Sequence, residues 1–350
     1  TGGLIGGEAA RHYLSKGWEV HGIDNNTRMS LFGEEADVSA GIAALKEHEN
    51  YTHRFVDIRD RGQIALIVDV VKPNALIHCA AQPSHDKAAD IPFEDFDINA
   101  TGTVNLLEAF RLHAPDDASF IHVSTNKVYG DGPNFLDLEE KSKRWEQRDF
   151  KPSPRTRAGL AWSGISEMFP IDQCLHSLFG ASKLSADVMA QEYGRYFNLN
   201  VGVFRGGCLT GPTHAGVELH GFLSYIVKCA LTGRPYTIFG YKGKQVRDQI
   251  HSKDVVTAFE AFIENPRQGE VYNIGGERRN SASILEIIDL IEEISGKRLQ
   301  YDLSDEARKG DHIWYISDMT KFRSHYPDWE PQFDLRDMIS EMVAAHQEST

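Results

Sequence analysis

Two sets of residues in this chain have the chemistry to hold phosphate. The first is Thr1-Gly2-Gly3-Leu4-Ile5-Gly6-Gly7, ahead of an amphipathic stretch from Glu8. Glycines at a strand-to-helix turn let the main chain approach a pyrophosphate, and the positive end of the helix dipole favours its charge. Gly2, Gly3 and Gly6 are the candidates, with a plain tight turn as the alternative. Asp24 ends the next apolar run, about 20 residues on, where a carboxylate binds both ribose hydroxyls. A carboxylate there repels a 2'-phosphate, which favours NAD over NADP. Asn25 and Asn26 follow it, Asp57-Ile58 would meet the adenine edge, and Ala80-Ala81-Gln82 let the backbone pass close to a ligand. Each alone reads first as structural; their order and spacing together make the dinucleotide reading. The second set is Arg247 and Arg308. A guanidinium fork gives a diphosphate two parallel hydrogen bonds, although either arginine alone also reads as surface charge.

The chain has 350 residues, enough for one large α/β unit with a smaller lobe. A net charge of -14 disfavours non-specific binding to nucleic acid. No apolar run approaches the ~20 residues of a membrane span. Cys79, Cys174, Cys208 and Cys229 are widely spaced with no Cys-x-x-Cys, which suits a reducing cytoplasm and argues against zinc. Fifteen histidines without clustered spacing give no metal site. The chain starts at Thr1 rather than a methionine, so the strand expected before the glycine turn would precede it.

Short apolar runs alternate with amphipathic stretches in the first half. Residues 20–23, 52–56, 75–78, 120–123 and 201–205 read as strands; 8–16, 61–71, 99–113 and 182–197 read as helices. This alternation predicts an α/β fold with a doubly wound, Rossmann-like parallel sheet and a smaller carboxyl-terminal substrate-binding lobe. The expected division is a dinucleotide-binding domain over 1–205, with an insertion around 130–170 and parts of 245–275, and a lobe made mainly of 206–350. Segment 130–170 is longer than a connection should be, which points to function or mobility.

Several longer motifs carry a resemblance: Ile98-Asn99 to Gly102-Thr103, Ser124-Thr125-Asn126-Lys127-Val128-Tyr129-Gly130-Asp131, Gly243-Lys244-Gln245-Val246-Arg247-Asp248 and Tyr272-Asn273-Ile274-Gly275-Gly276. With them the chain resembles the extended short-chain dehydrogenase/reductase family over nearly its whole length, and within it the CDP-paratose (CDP-tyvelose) 2-epimerases. The likeness implies NAD as cofactor, a nucleoside-diphosphate sugar (a CDP-sugar foremost) as substrate, and a cytoplasmic homodimer packed through 99–113 and 182–197. It departs from the family in two places. The glycine turn is two residues shorter than Thr-Gly-Gly-x-Gly-x-x-Gly, and the family's Tyr-x-x-x-Lys is here Phe179-Gly180-Ala181-Ser182-Lys183.

By resemblance, Lys183 holds the cofactor ribose, with Asn99 also on the cofactor side. Ser124 or Thr125 hydrogen-bonds the sugar hydroxyl. Gln82, Thr125, Asn126 and His220 contact substrate, Arg247 and Arg308 clamp its diphosphate, and His214, Glu218 and His220 lie on a loop that crosses the sugar site. Asp254 and Asp318 read as helix or loop stabilisers. Phe179, at the tyrosine position, cannot move a proton, so another group or an ordered water must. His176 has a suitable unperturbed pKa near ~6.5; Cys174, Asp172 and His85 are further candidates, each also readable as a local cap or solvated loop residue. The activity implied is epimerisation through a transient keto sugar. A dehydratase using Glu167 or Asp172 as an added base, and an NAD-binding sensor that has lost its acid/base group, are the alternatives.

Overall fold

A computed structural model describes residues 1–148, 160–161, 164–214, 216–217, 221–307 and 309–348. Arg308, Glu218 and His220 lie outside the described residues. The chain divides into two compact units. One comprises Thr1–Val128, Leu178–Arg205 and Val255–Tyr272, the other Tyr129–Ser177, Gly206–Asp254 and Asn273–Thr350.

The first unit is the expected α/β arrangement. Strands Val20–Ile23 and Tyr51–Arg54 pair in parallel, starting from Val20 opposite Tyr51. A four-stranded sheet runs in the order Glu270–Ile274, Asn200–Gly206, Ser119–Thr125, Ala75–His78. Its Ala75–His78 and Ser119–Thr125 strands are parallel, with His78 opposite His122. Helices Arg61–Val71 and Gly102–His113 bury Ile64, Val68, Leu106, Leu107 and Phe110 with the sheet residues Phe120, Val201 and Val203. Buried apolar area of this kind contributes about 25 cal/mol per Å².

Three helix starts differ from expectation. The first helix is Leu4–Ser15, so Gly6 and Gly7 sit inside it rather than in a turn before Glu8. A Cβ on either would come within 3.1 Å of the Thr1 main chain, so these glycines permit close helix packing. A π-turn, Asp97–Thr101, precedes the helix from Gly102; such turns recur at functional sites. The helix expected from 182 begins at Ser177 and runs to Tyr196. Phe179 and Lys183 therefore share one helix face, four positions apart.

In the second unit, strand Val246–His251 is parallel to Cys208–Thr210 and Trp314–Tyr315 and antiparallel to Ser281–Ser283. Its core joins Leu223, Ile226, Ile287, Ile291, Ile339 and Met342. Helix Ile284–Ser295 opens with a reciprocal cap between Ser283 and Glu286 and ends at Gly296 with φ 65°. Among the described residues no helix is long and apolar enough to cross a membrane.

Candidate active site

Lys183 is 4% exposed. Its Nζ donates to the Val123 carbonyl at 2.9 Å, at the end of the strand that carries Ser124 and Thr125. Burial lowers its ammonium to about 8, against the opposing pull of Asp187, Cys79 and Asp95.

A closed polar network fixes the surroundings of the Phe179 helix. Ser182 Oγ donates to Asp95 Oδ2 at 2.6 Å and lies 3.0 Å from the Phe179 carbonyl. Asn99 Nδ2 lies 3.0 Å from Ser182 Oγ, 3.1 Å from Asp95 Oδ1 and 3.1 Å from the Gln82 carbonyl. The Gln82 N–H donates to Asn99 Oδ1 at 2.9 Å. Gln82 Nε2 reaches Asp95 Oδ1 at 2.7 Å and the Ser84 carbonyl at 2.9 Å, while its Oε1 accepts the Ser84 N–H at 2.6 Å. Burial raises the Asp95 carboxyl above its ordinary range, with the Ser182 and Gln82 hydrogen bonds working against that. The Gln82 and Asn99 side chains are fully buried and join the loop after strand Ala75–His78 to the helix bearing Phe179 and Lys183.

That loop turns at Ser84, whose side chain caps the short helix His85–Asp90. Its first residue, His85, lies edge-on to Phe179 with ring centres 5.0 Å apart. Phe179 itself is 6% exposed. The ring of His176 lies instead 3.7 and 3.9 Å from Cys174 Sγ through its two nitrogens. Burial raises the Cys174 thiol, which disfavours the thiolate.

Ser124 and Thr125 separate clearly. Ser124 Oγ donates to Asp187 Oδ2 at 2.5 Å, and Asp187 takes a two-point bond from Arg205 at 3.0 and 2.9 Å. This buried group positions the strand, and the Ser124 hydroxyl is engaged by Asp187. Thr125 is half-buried, its Oγ1 accepting the Lys127 N–H at 3.2 Å. Asn126 is buried at the start of the turn Asn126–Tyr129.

Residues at the glycine end fit NAD. Gly3 begins the first helix with no side-chain cap among the described residues, and a Cβ there would meet nothing within 4 Å. The space beside Gly3 is open, and a helix amino terminus of this kind favours an anion. Gly2 donates its N–H to Asp24 Oδ2 at 2.7 Å, and a Cβ on it would strike Val38 Cγ2 at 2.5 Å. Asp24 Oδ1 accepts the Asn26 N–H at 2.8 Å; burial raises the carboxyl, but the Thr1 ammonium at 3.1 Å and then the Asn26 and Gly2 N–H groups bring it below its ordinary range. Asn25 and Asn26 build this loop through Asp57 and Asp37. Asp57 is tied to Arg59 by a contact of 2.7 Å, and Ile58 is buried in the apolar core. Ala80 is exposed and Ala81 half-buried.

In the second unit, Arg247 is paired with Asp311 at 2.7 Å and donates to the Val246 and His312 carbonyls, so its fork is already occupied. Glu167 Oε1 accepts the Asn273 N–H at 2.7 Å, and burial raises its carboxyl. The His214 carbonyl accepts a hydrogen bond from the Ser224 hydroxyl at 2.7 Å. Asp254 accepts the Gln332 N–H at 2.8 Å, and Asp318 accepts the Thr320 N–H at 2.9 Å. Among the described residues no group of three or more His, Cys, Asp or Glu is placed to hold a metal ion.

Sequence reading missed Asp95, Ser182, Asp187 and Arg205. Asp187 was open to discovery from its helical spacing after Lys183, but Asp95 carried no local signal.

Comparison with known proteins fits this geometry. Residues 1–152 match the family model described as GDP-mannose 4,6 dehydratase, and residues 165–275 match the NAD dependent epimerase/dehydratase family. CDP-paratose 2-epimerase of Salmonella typhi is 29% identical over 347 residues, covering 97% of this chain and 95% of that one. dTDP-glucose 4,6-dehydratase 1 of Escherichia coli K12 is 27% identical, covering 97% and 89%. A tyrosine-to-phenylalanine mutant of UDP-glucuronic acid 4-epimerase from Bacillus cereus, solved with UDP-4-deoxy-4-fluoro-glucuronic acid and NAD, shares the fold at TM-score 0.76 and 24% identity, covering 100% and 98%. The chain belongs to the extended short-chain dehydrogenase/reductase family of NAD-dependent nucleotide-sugar epimerases and dehydratases.

Proposed function

We propose that this protein epimerises a nucleoside-diphosphate sugar, a CDP-sugar foremost, by transient oxidation at a carbinol carbon, in the manner of a 2-epimerase. The observation that carries the reading is Lys183 held against the Val123 carbonyl beside Thr125, in a chain aligned over 97% of its length with CDP-paratose 2-epimerase. NAD, when bound, supplies the hydride acceptor. Gly2, Gly3 and the first-turn N–H groups border its pyrophosphate, Asp24 takes the ribose hydroxyls, and the Ala80-Ala81 backbone lines its path. Lys183 offers N–H donors and a positive charge that favours the alkoxide, and Thr125 orients the alcohol. Arg308 and Arg247 take the diphosphate, Arg247 by exchanging Asp311 for a phosphate oxygen. A homodimer through the faces bearing exposed Leu112, Val188 and Tyr196 belongs to the same reading.

The test is product analysis of the NAD-loaded protein with CDP-paratose in deuterated water. Inversion at one carbon with no carbon-bound deuterium is expected. Release of water would instead favour the dehydratase reading, which draws support from the match of residues 1–152 and from Glu167. Thr125→Ala should lower kcat by about 10²–10³, the usual cost of one hydrogen-bond donor at a reacting oxygen. Unchanged turnover in Lys183→Ala and Thr125→Ala alike would overturn these assignments.

A further inference from the structure

We propose that His85 is the general base that stands in for the missing phenol. The inference rests on the alcohol-oxidising reading above and adds the group that reading lacks. Oxidation of an alcohol releases a proton as hydride leaves carbon, and a benzene ring at Phe179 has no atom to take it. His85 is a titratable side chain that the structure sets against that ring, edge-on with centres 5.0 Å apart.

The contact is built rather than incidental. Ser84, the cap of the His85 helix, is held through both its N–H and its carbonyl by Gln82. Gln82 and Asn99 then join Asp95 and Ser182, and Ser182 bonds back to the Phe179 carbonyl. The segment with the imidazole and the helix with Phe179 and Lys183 are thus tied by groups that are nearly or wholly excluded from solvent. Such a network costs more to leave half-made than to complete, so it fixes one geometry. His85 itself is half-buried, which leaves its ring a way to a ligand. The titratable groups on the elements packed with it are Asp86, Lys87 and Asp90 on its own helix, Glu94 and Asp95 on the neighbouring helix Pro92–Phe96, and Lys183, Asp187, Glu192, Tyr193, Arg195 and Tyr196 on the Phe179 helix.

The step balances simply. The alcohol O–H bond breaks and its proton goes to the imidazole; the C–H electron pair leaves as hydride to NAD; the carbinol becomes a ketone. The return step gives the same proton back as hydride re-enters on the other face, so no co-reactant is consumed.

His85→Asn and Phe179→Tyr, singly and together, separate this role from mere packing. With NAD and CDP-paratose, His85→Asn should lower kcat by about 10²–10⁴ with little change in KM or Tm, the range for a lost general base. It should also abolish the acidic limb of the kcat profile, where a general base loses its activity by protonation. Adding Phe179→Tyr to His85→Asn should recover at least about tenfold of that loss, because a phenol then stands where the family pattern has one. A second readout needs no turnover: the His85 imidazole signal, assigned by its absence in His85→Asn, should move when NAD is added. A moved signal without turnover of CDP-paratose supports His85 and sinks the choice of sugar instead. A His85 signal indifferent to NAD, or a kcat profile unchanged in His85→Asn, overturns the proposal.

Discussion

The buried carboxylates and the buried imidazoles of the first unit are treated in opposite ways. Asp95 and Asp187 each end in several donors: Ser182, Gln82 and Asn99 for one, Arg205, Ser124 and Gln191 for the other. His78 and His122, opposite each other on adjacent strands with ring centres 5.3 Å apart, have far less. His78 Nε2 meets Thr103 Oγ1 at 2.9 Å, and neither ring nitrogen of His122 has a hydrogen-bond partner among the described residues. The difference follows from what each group can shed. A carboxylate taken from water keeps its charge only where donors replace the water, whereas an imidazole escapes the cost by losing its proton. Burial accordingly holds His78 down to about 3 and His122 well below its usual range, with Lys183 adding to both shifts.

The sharpest break of this contrast is Asp187→Ala. It strands the Arg205 guanidinium, whose side chain is 5% exposed, beside no carboxylate. A loss of about 3–5 kcal/mol in urea unfolding is expected, the usual cost of removing one member of a buried pair. A double replacement, Asp187→Leu with Arg205→Met, should recover most of it. If the single change costs under about 1 kcal/mol, the pair is not the constraint it looks to be.

Asn99→Ala should come next, at about 1–3 kcal/mol, because it removes donors from Asp95 and an acceptor from the Gln82 N–H. Its pH dependence has a definite sign. Asp95 is already raised in the folded state, so folding favours the protonated form, and stability falls as pH rises from the unfolded carboxyl value through the folded one. Losing an Asn99 donor raises it further, so the penalty measured at pH 7 should exceed that at pH 5. Equal penalties at the two values would show that Asn99 acts on the backbone alone.

How much of this was legible in the chain depended on sequence distance. The βα alternation, the Phe179 to Lys183 spacing and Asp24 after the glycines are local patterns and were readable. The helix start at Leu4 was not, because a glycine needed for close packing is written the same way as one needed for a turn. Gln82 and Asn99 are read from motifs beside a site, but the internal partners that hold them, Asp95 and Ser182, come from other segments, and Ser182 is brought to Asp95 only when the helix folds back. Ser124 and Thr125 are adjacent hydroxyls on a strand whose neighbours alternate in facing, and only the position of Asp187 tells which is tied down.

The smallest expected effect tests the imidazole side of the contrast. His122→Leu replaces an unpaired buried ring with an apolar group of similar bulk, so it removes a desolvation cost without opening a large cavity. A gain of about 1 kcal/mol at pH 7 is expected, the lower end of the cost of an unbonded buried polar group. The acid side gives an independent check. With folded values depressed, His78 and His122 are neutral in the fold at pH values where their unfolded counterparts, at about 6.5, bind protons. Their contribution is therefore fully present above that value and is lost as pH falls toward the folded values, giving a stability that climbs with pH through the window. His122→Leu should flatten that climb by the share of one proton while leaving His78's share in place. A variant that is less stable at pH 7, with the slope unaltered, would mean that the His122 ring is held by a partner after all, and the two kinds of buried group would then obey one rule rather than two.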